Sequence, residues 1–307
     1  MMDSIAALSA FVHAADARSF TAAGRQLGVS SSAVGKAVAR LEDRLGVRLF
    51  HRSTRSITLT QEGSLFLESC RRIFSEIENV ESEFAQSSGK PKGRLRVSLP
   101  MVGMLILPAI TGFISAYPEI HLDIDFTDDL VDVIDGGYDA VIRTGEASDS
   151  RLMARTLGTY KLLVVGSPDY LNKTSLPETP ADLTGHCCLH HRYPTSGKLQ
   201  RWPFRRSDDD QDIALPISTA VSTIEPLITM ADLGLGVACV PDFAVRRQLA
   251  DGSLVSLLEN HLDHSGAFRA VWPSSRYLAP KTRAFIDYLA ENLFAQYEAG
   301  ARSPKRG

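Results

Sequence analysis

Along residues 3–60 the apolar positions recur with helical spacing in three short runs. In "SIAALSAFVHAAD" Ile5, Leu8, Phe11, Val12 and Ala15 share a face, "TAAGRQLG" follows, and in "SSAVGKAVARLEDRLG" Val34, Val38, Leu41 and Leu45 are spaced to form one inward stripe. Gly28 is a suitable helix stop and Ser30 a suitable N-cap, so the order predicted is helix, helix, tight turn, helix. From residue 47 the period changes. In "VRLFHRSTRSITLT" Ile57 and Leu59 alternate with Ser56, Thr58 and Thr60 beside polar "RSTR", which predicts a β-hairpin with a basic tip. Gln61 to about Ser88 is helical again, and Phe66, Cys70, Ile73, Ile77, Val80 and Phe84 follow a heptad seam. A helix packed only on its own domain usually shows a wider stripe, so this seam predicts a dimer. "SSGKPKG" at 87–93 then breaks the helix and reads as a hinge.

Beyond Arg94, strand and helix patterns alternate: strand "RLRVSL", helix "LILPAITGFISAY", strand "HLDIDFT", helix "DLVDVIDGG", strands "DAVIRTG" and "YKLLVVGS". "CCLHHR" and "ISTAVS" follow, then helix "IEPLITMADLG", strand "GVACVP", helix "DFAVRRQLADG", strand "FRAVWP" and helix "KTRAFIDYLAENLFAQY". This alternation predicts α/β sheets with crossover helices, and its length predicts two subdomains.

Charge changes the picture at one end of the chain. The 307 residues are 44% hydrophobic and 22% charged, with a formal net charge of -3. Residues 1–60 nevertheless hold eight Lys/Arg against four acids, so a basic module is joined to an acidic body. A polyanion partner accounts for that asymmetry, and a merely solvated charged surface is the alternative. No run of about 18 apolar residues offers a membrane span, and the acidic start "MMDSIAALSAFVHAAD" is unlike a secretory signal, so a cytoplasmic chain without membrane contact is expected. Cys70, Cys187, Cys188 and Cys239 lack framework spacing and are expected as packed thiols.

The third helix opens "VSSSAVGKAV", small and polar where a helix-turn-helix meets the major groove. Ser30, Ser31 and Ser32 are placed to cap the helix, donate to phosphate or meet a base edge, Gly35 allows close backbone approach, and Lys36 stands beside it. The alternative is that the serines only cap. Arg52 and Arg55 at the hairpin tip weigh against it, lying where a wing reaches phosphates or a minor groove. Thr21 and Arg40 complete the candidate face for double-stranded promoter DNA.

The segment "SFTAAGRQLGVSSSAVGKAVARLEDRLGVRLFHRSTRSITLTQEG" resembles the winged helix-turn-helix of LysR-type transcriptional regulators. "YPEIHLDID", "GGYDAVIRTG", "VVGSPDYL", "PADLTGHCCL" and "GLGVACVPDF" resemble that family's effector-binding domain in the same order, so the likeness covers essentially the whole chain. Two positions depart from the family's common pattern, which has glutamine where Ser31 stands and serine where Gly35 stands. The resemblance implies an N-terminal all-α winged helix-turn-helix plus linker helix, residues 1–60 and 61–92. It further implies a C-terminal α/β domain, 93–307, of two Rossmann-like lobes similar to periplasmic binding proteins. Lobe 1 is expected over about 93–161 and 268–300, lobe 2 over about 162–267, and the assembly as a homo-oligomer, a tetramer built on the dimer.

Ligands in such sheets lie beyond the carboxyl ends of strands. The candidates for a small-molecule effector are Ser98, Pro100, Met101 and Val102 after the first strand, Arg143 and Thr144 after "DAVI", and Ser222 and Thr223 at a helix start. Ordinary turns and an N-cap are the alternatives. Arg143 and the helix N-termini predict an effector with an anionic or strongly hydrogen-bonding group. "HCCLHH" at 186–191 holds metal-type side chains, but a strand sends neighbours to opposite faces, so no metal site is expected and His191 alone is a candidate for the cleft. No nucleophile elbow, G-x-G-x-x-G or H-E-x-x-H occurs, so neither catalysis nor a cofactor is expected. A regulator without an effector, or one responding to metal or redox state, is the nearer rival; a solute-binding protein or an enzyme is more remote.

Overall fold

The computed structural model describes residues 2–52, 57–84, 90–145, 149–205, 213–263, 265–274 and 278–295, with backbone only at 2–4, 52, 75, 76 and 78–84. The N-terminal part is α1 (Met2–Ala17), α2 (Phe20–Leu27), α3 (Ser31–Leu45), the strands β1 (Phe50–Arg52) and β2 (Ile57–Leu59), and the long α4 (Gln61–Phe84). Its core gathers around Phe11, Ala23, Val34, Val38, Leu41 and Leu49, with the Phe11 ring 5.3 Å from both Phe50 and Phe66. Ile5 and Leu45, expected on inward stripes, are 45% and 40% exposed because each stands near a helix end, past the contact between helices.

The turn between α2 and α3 depends on two glycines. Gly28 ends α2 in the left-handed region at φ 68°, and the amide of Val29 returns to the Gly24 carbonyl at 2.9 Å. A Cβ on Gly24 would sit 2.7 Å from the Val29 carbonyl oxygen, so the turn closes only over a bare backbone. β1 and β2 pair antiparallel from Phe50↔Leu59 to Arg52↔Ile57. Arg55 and the Arg52 side chain lie outside the described residues.

Two members of the predicted dimer seam are corrected. Cys70 is fully buried and Phe66 packs against Phe11, so early in α4 the apolar stripe covers α1 of its own domain. Ile73 is 45% exposed and Ile77 half-buried; the side chains of Val80 and Phe84 lie outside the described residues.

The second part holds two five-stranded sheets. The first runs β4 (Ile120–Phe126), β3 (Gly93–Leu99), β5 (Ala140–Thr144), β12 (Gly266–Pro273), β6 (Leu152–Tyr160), flanked by α5 (Gly103–Ala116) and α9 (Pro280–Asn292). The second runs β11 (Val255–Leu257), β7 (Leu162–Gly166), β10 (Val237–Pro241), β8 (Cys188–His191), β9 (Thr219–Val221), with α6 (Pro168–Leu171), α7 (Ile224–Asp232) and α8 (Arg246–Asp251). The chain passes between sheets at Lys161 and again after β11. Strands flanking these crossings pair antiparallel, while β3 with β4 and β5, and β8 with β9 and β10, are parallel. Each lobe is therefore a mixed sheet, Rossmann-like in its parallel half. On β10, Val237 and Cys239 pack on one side while Ala238 and Val240 pack on the other, which is why that strand reads as an unbroken apolar run.

Three local expectations give way. The helix predicted at 129–137 is a series of turns, since the Asp132 carboxylate accepts the amides of Ile134 and Asp135 at 2.8 and 2.7 Å. The helix predicted at 242–252 divides into a short 3-10 turn (Asp242–Ala244) and α8. β6, mostly exposed, and the three-residue β11 carry no apolar alternation to announce them. Among the described residues no helix is long and apolar enough to cross a membrane.

Candidate DNA interface and effector cleft

α3 presents the face its sequence predicts. Ser30 caps it, its Oγ accepting the Ala33 amide at 3.2 Å and lying 3.1 Å from the Ser32 Oγ. Val34, Val38 and Leu41 turn inward, leaving Ser31, Ser32, Lys36 and Arg40 exposed, the last three four residues apart along one line. A Cβ on Gly35 would meet nothing within 4 Å, so this glycine answers no packing demand inside the domain. Thr21 is exposed in the first turn of α2, whose N-cap Ser19 accepts the Ala22 amide.

Sequence reasoning missed the residue that fixes the hairpin to α3. Glu42 is 3% exposed, and its Oε1 accepts the amides of Leu49 and Phe50 at 2.9 and 3.2 Å; its Oε2 lies 3.4 Å from the Arg48 guanidinium. Thr60 closes the other end, donating its hydroxyl to the Arg48 carbonyl at 2.7 Å and capping α4 through the Gly63 amide at 2.9 Å. The signal available was an acid directly after Leu41, at the edge of the buried stripe.

Between the two lobes lies a cavity of about 150 Å³, walled by both sheets. Of the predicted effector residues, Pro100, Val102, Thr144 and His191 line it. Ser98 is buried within β3, and Met101 is exposed beside the wall, its amide donating to Asp128 Oδ1 at 2.9 Å. Ser222 and Thr223 stop short of the wall: the Ser222 carbonyl accepts His191 Nε2 at 3.3 Å, and Ile224 is the lining residue of that segment.

Arg143 is the main correction. Successive side chains on a strand point to opposite faces. Thr144 faces the cavity, whereas the Arg143 guanidinium donates to the Val131 carbonyl at 3.3 Å and does not line it. The lining residues that sequence reasoning missed include Asp128, Tyr160, Tyr193, Gln200, Phe243 and Phe268. Four come from loops or from the strand β6 that carried no pattern. Burial lowers the His191 pKa below its ordinary value against the Ser222 carbonyl, Asp128 and Gln200, so the ring is neutral near pH 7 with Nε2–H as its donor.

The remaining side chains of "HCCLHH" have separate neighbours. His186 Nδ1 is 3.3 Å from the Tyr170 hydroxyl, His190 Nε2 is 2.9 Å from the Pro216 carbonyl, and Cys188 is buried, its thiol pushed up to about 11. Among the described residues no group of His, Cys, Asp and Glu is arranged to hold a metal ion.

Comparison with known proteins covers both parts. The family described as "Bacterial regulatory helix-turn-helix protein, lysR family" matches residues 5–64, and "LysR substrate binding domain" matches 88–294. The HTH-type transcriptional regulator CrgA of Neisseria meningitidis is 36% identical over 289 residues, 93% of this chain and 96% of the relative. PgrR of Escherichia coli is 30% identical over 290 residues, 94% and 97% of the two chains. The solved structure of CrgA superposes with a TM-score of 0.61 at 34% identity over 94% of this chain and 98% of that one. The full-length virulence activator AphB of Vibrio cholerae gives 0.58 at 26% identity over 92% and 97%.

Proposed function

The chain belongs to the LysR family of bacterial transcriptional regulators, and from that premise we propose that α3 reads promoter DNA while a small molecule in the inter-lobe cavity sets the regulator's activity in the cytoplasm. The observation that carries the first half is the exposed line Ser32, Lys36, Arg40 on α3, beside the open backbone at Gly35. Side chains there meet base edges and phosphates, and the helix N-terminus favours a phosphate. Arg52 and Arg55 on the wing add sequence-independent affinity. Self-association through the later part of α4, at Ile73 and Ile77 and onward to Val80 and Phe84, sets two such heads on a partly palindromic site, and a second dimer completes a tetramer.

The effector acts only through different affinity for two arrangements of the lobes. The cavity supports this role because its walls come from both of them. Two variants test the two halves by fluorescence anisotropy on DNA upstream of the chain's own gene and by a reporter from that promoter. Lys36→Ala weakens binding by roughly tenfold or more; unchanged affinity and salt slope remove α3 from the interface. Thr144→Trp fills the cavity and abolishes the metabolite-dependent change in reporter output with DNA affinity intact. A retained response puts the effector elsewhere.

A further inference from the structure

We propose that the effector is a small primary ammonium compound, its cation set against Asp128 and its apolar body against the aromatic floor of the cavity. This deepens the reading of the cleft as the effector site and rests on it. Among the described lining residues Asp128 carries the one formal charge, and it is negative. The guanidinium of Arg143 on β5 faces away, and His191 spends its Nε2–H on the Ser222 carbonyl. An anion entering here meets a carboxylate and no compensating charge among the described lining residues.

The floor suits the apolar body. The rings of Tyr160, Phe243 and Phe268 stand 5.3–5.7 Å apart by centroid, and all three line the cavity, with Tyr193 on the facing wall. Aromatic rings supply a large apolar surface and pack favourably against another ring. The volume sets the size. About 150 Å³ takes a body close to that of benzene, so one apolar group and one cationic head fill it.

Asp128 also couples the ligand to the lobes. Thr195, on the turn after β8 in the second lobe, donates its hydroxyl to the Asp128 carbonyl at 3.4 Å and accepts the Leu130 amide at 3.0 Å. A cation on this carboxylate therefore acts on the loop that joins the two lobes across the cleft.

The test is calorimetric titration of the full chain with benzylamine, benzyl alcohol and benzoate, matched in shape and differing in charge. Benzylamine is expected to bind about tenfold or more tightly than the alcohol, as a hydrogen bond to a charged group predicts, with no binding of benzoate. Asp128→Asn keeps an oxygen for the Met101 amide, so the protein folds and the preference for amine over alcohol collapses. Equal or tighter binding of the alcohol or benzoate, binding of none of the three, or a preference that survives Asp128→Asn overturns the ammonium class. Thr144→Trp separates this from the reading beneath it. If that variant loses the promoter response while benzylamine shows no preference, the cleft is the effector site and its ligand is of another class; if benzylamine binds Thr144→Trp as before, the cleft itself is the wrong site.

Discussion

Replacing Glu42 tests what holds the wing against α3. Two interactions compete for the credit. The pair with Arg48 is 3.4 Å long, but the Arg48 side chain is 74% exposed, and exposed pairs are worth roughly 0–1 kcal/mol. The two amide hydrogen bonds, from Leu49 and Phe50, are buried, and removing their charged acceptor leaves both donors unsatisfied at about 1.5–3 kcal/mol each. Arg48→Ala is therefore expected to change stability by less than about 1 kcal/mol, and Glu42→Ala to cost about 3–6 kcal/mol. Glu42→Gln, which retains an acceptor oxygen, falls between them. Native-state hydrogen exchange at the Leu49 and Phe50 amides reads this locally. Exchange should speed up by roughly a hundredfold or more in Glu42→Ala if the opening is confined to the hairpin, with DNA affinity falling alongside as the wing detaches. Protection that survives Glu42→Ala, or that is lost in Arg48→Ala instead, refutes the assignment to the amide bonds.

Alkylation of the native protein should modify Cys187, which is exposed, and spare Cys70, Cys188 and Cys239, which are buried; burial pushes the Cys70 and Cys188 thiols up to about 11. Peptide mapping that finds Cys70 labelled before unfolding counts against the packing of α4 on α1. His191 titrates below its ordinary 6.5 in the folded chain, so the unfolded chain takes the proton first and the stability held above about pH 6.5 is lost as pH falls towards the folded value. In His191→Gln the thermal midpoint of the second domain should vary less between pH 7 and pH 5; an identical slope would mean the ring is not buried neutral. Gly35→Ala should raise helix stability by about 1 kcal/mol, since nothing lies within 4 Å of the new Cβ, while weakening DNA binding; a stabilised variant with full affinity would show that DNA does not approach this backbone.

The helix-turn-helix was legible because several independent local signals agree there. Ser30 and Gly28 mark the turn, Val34, Val38 and Leu41 mark the inward face, and what remains on α3 is small, polar or basic. The early α4 stripe, at Phe66 and Cys70, was legible as a period and misread as to its partner. A heptad records that one side of a helix is covered, and Phe66 and Cys70 are covered by α1 of the same chain. Periodicity carries no label for self or neighbour, and only the position of α1, set by the whole N-terminal core, decides it. Glu42 escaped for a related reason: its partners are the backbone amides of residues 49 and 50, and a backbone donor leaves no trace in residue identity.

The cleft shows how far a one-residue error in facing propagates. Strand β5 was recognised, its carboxyl end was expected to meet a ligand, and Thr144 does line the cavity. The strand's period of two then requires that Arg143 does not, and its guanidinium is taken up by the Val131 carbonyl. Assigning both neighbours to one site places a cation in the cleft and calls for an anionic or strongly hydrogen-bonding ligand. With Arg143 on the far face and Asp128 on the wall, the electrostatic argument keeps its form and reverses its sign. Asp128 was hard to find from sequence because it lies in "TDDL", where three polar residues in a row give no facing. Its place on the wall is set by the loop after β4, which is held by the Met101 amide on one side and Thr195 on the other. Both partners are distant from it in sequence, so the charge on the cavity wall is a property of the tertiary fold.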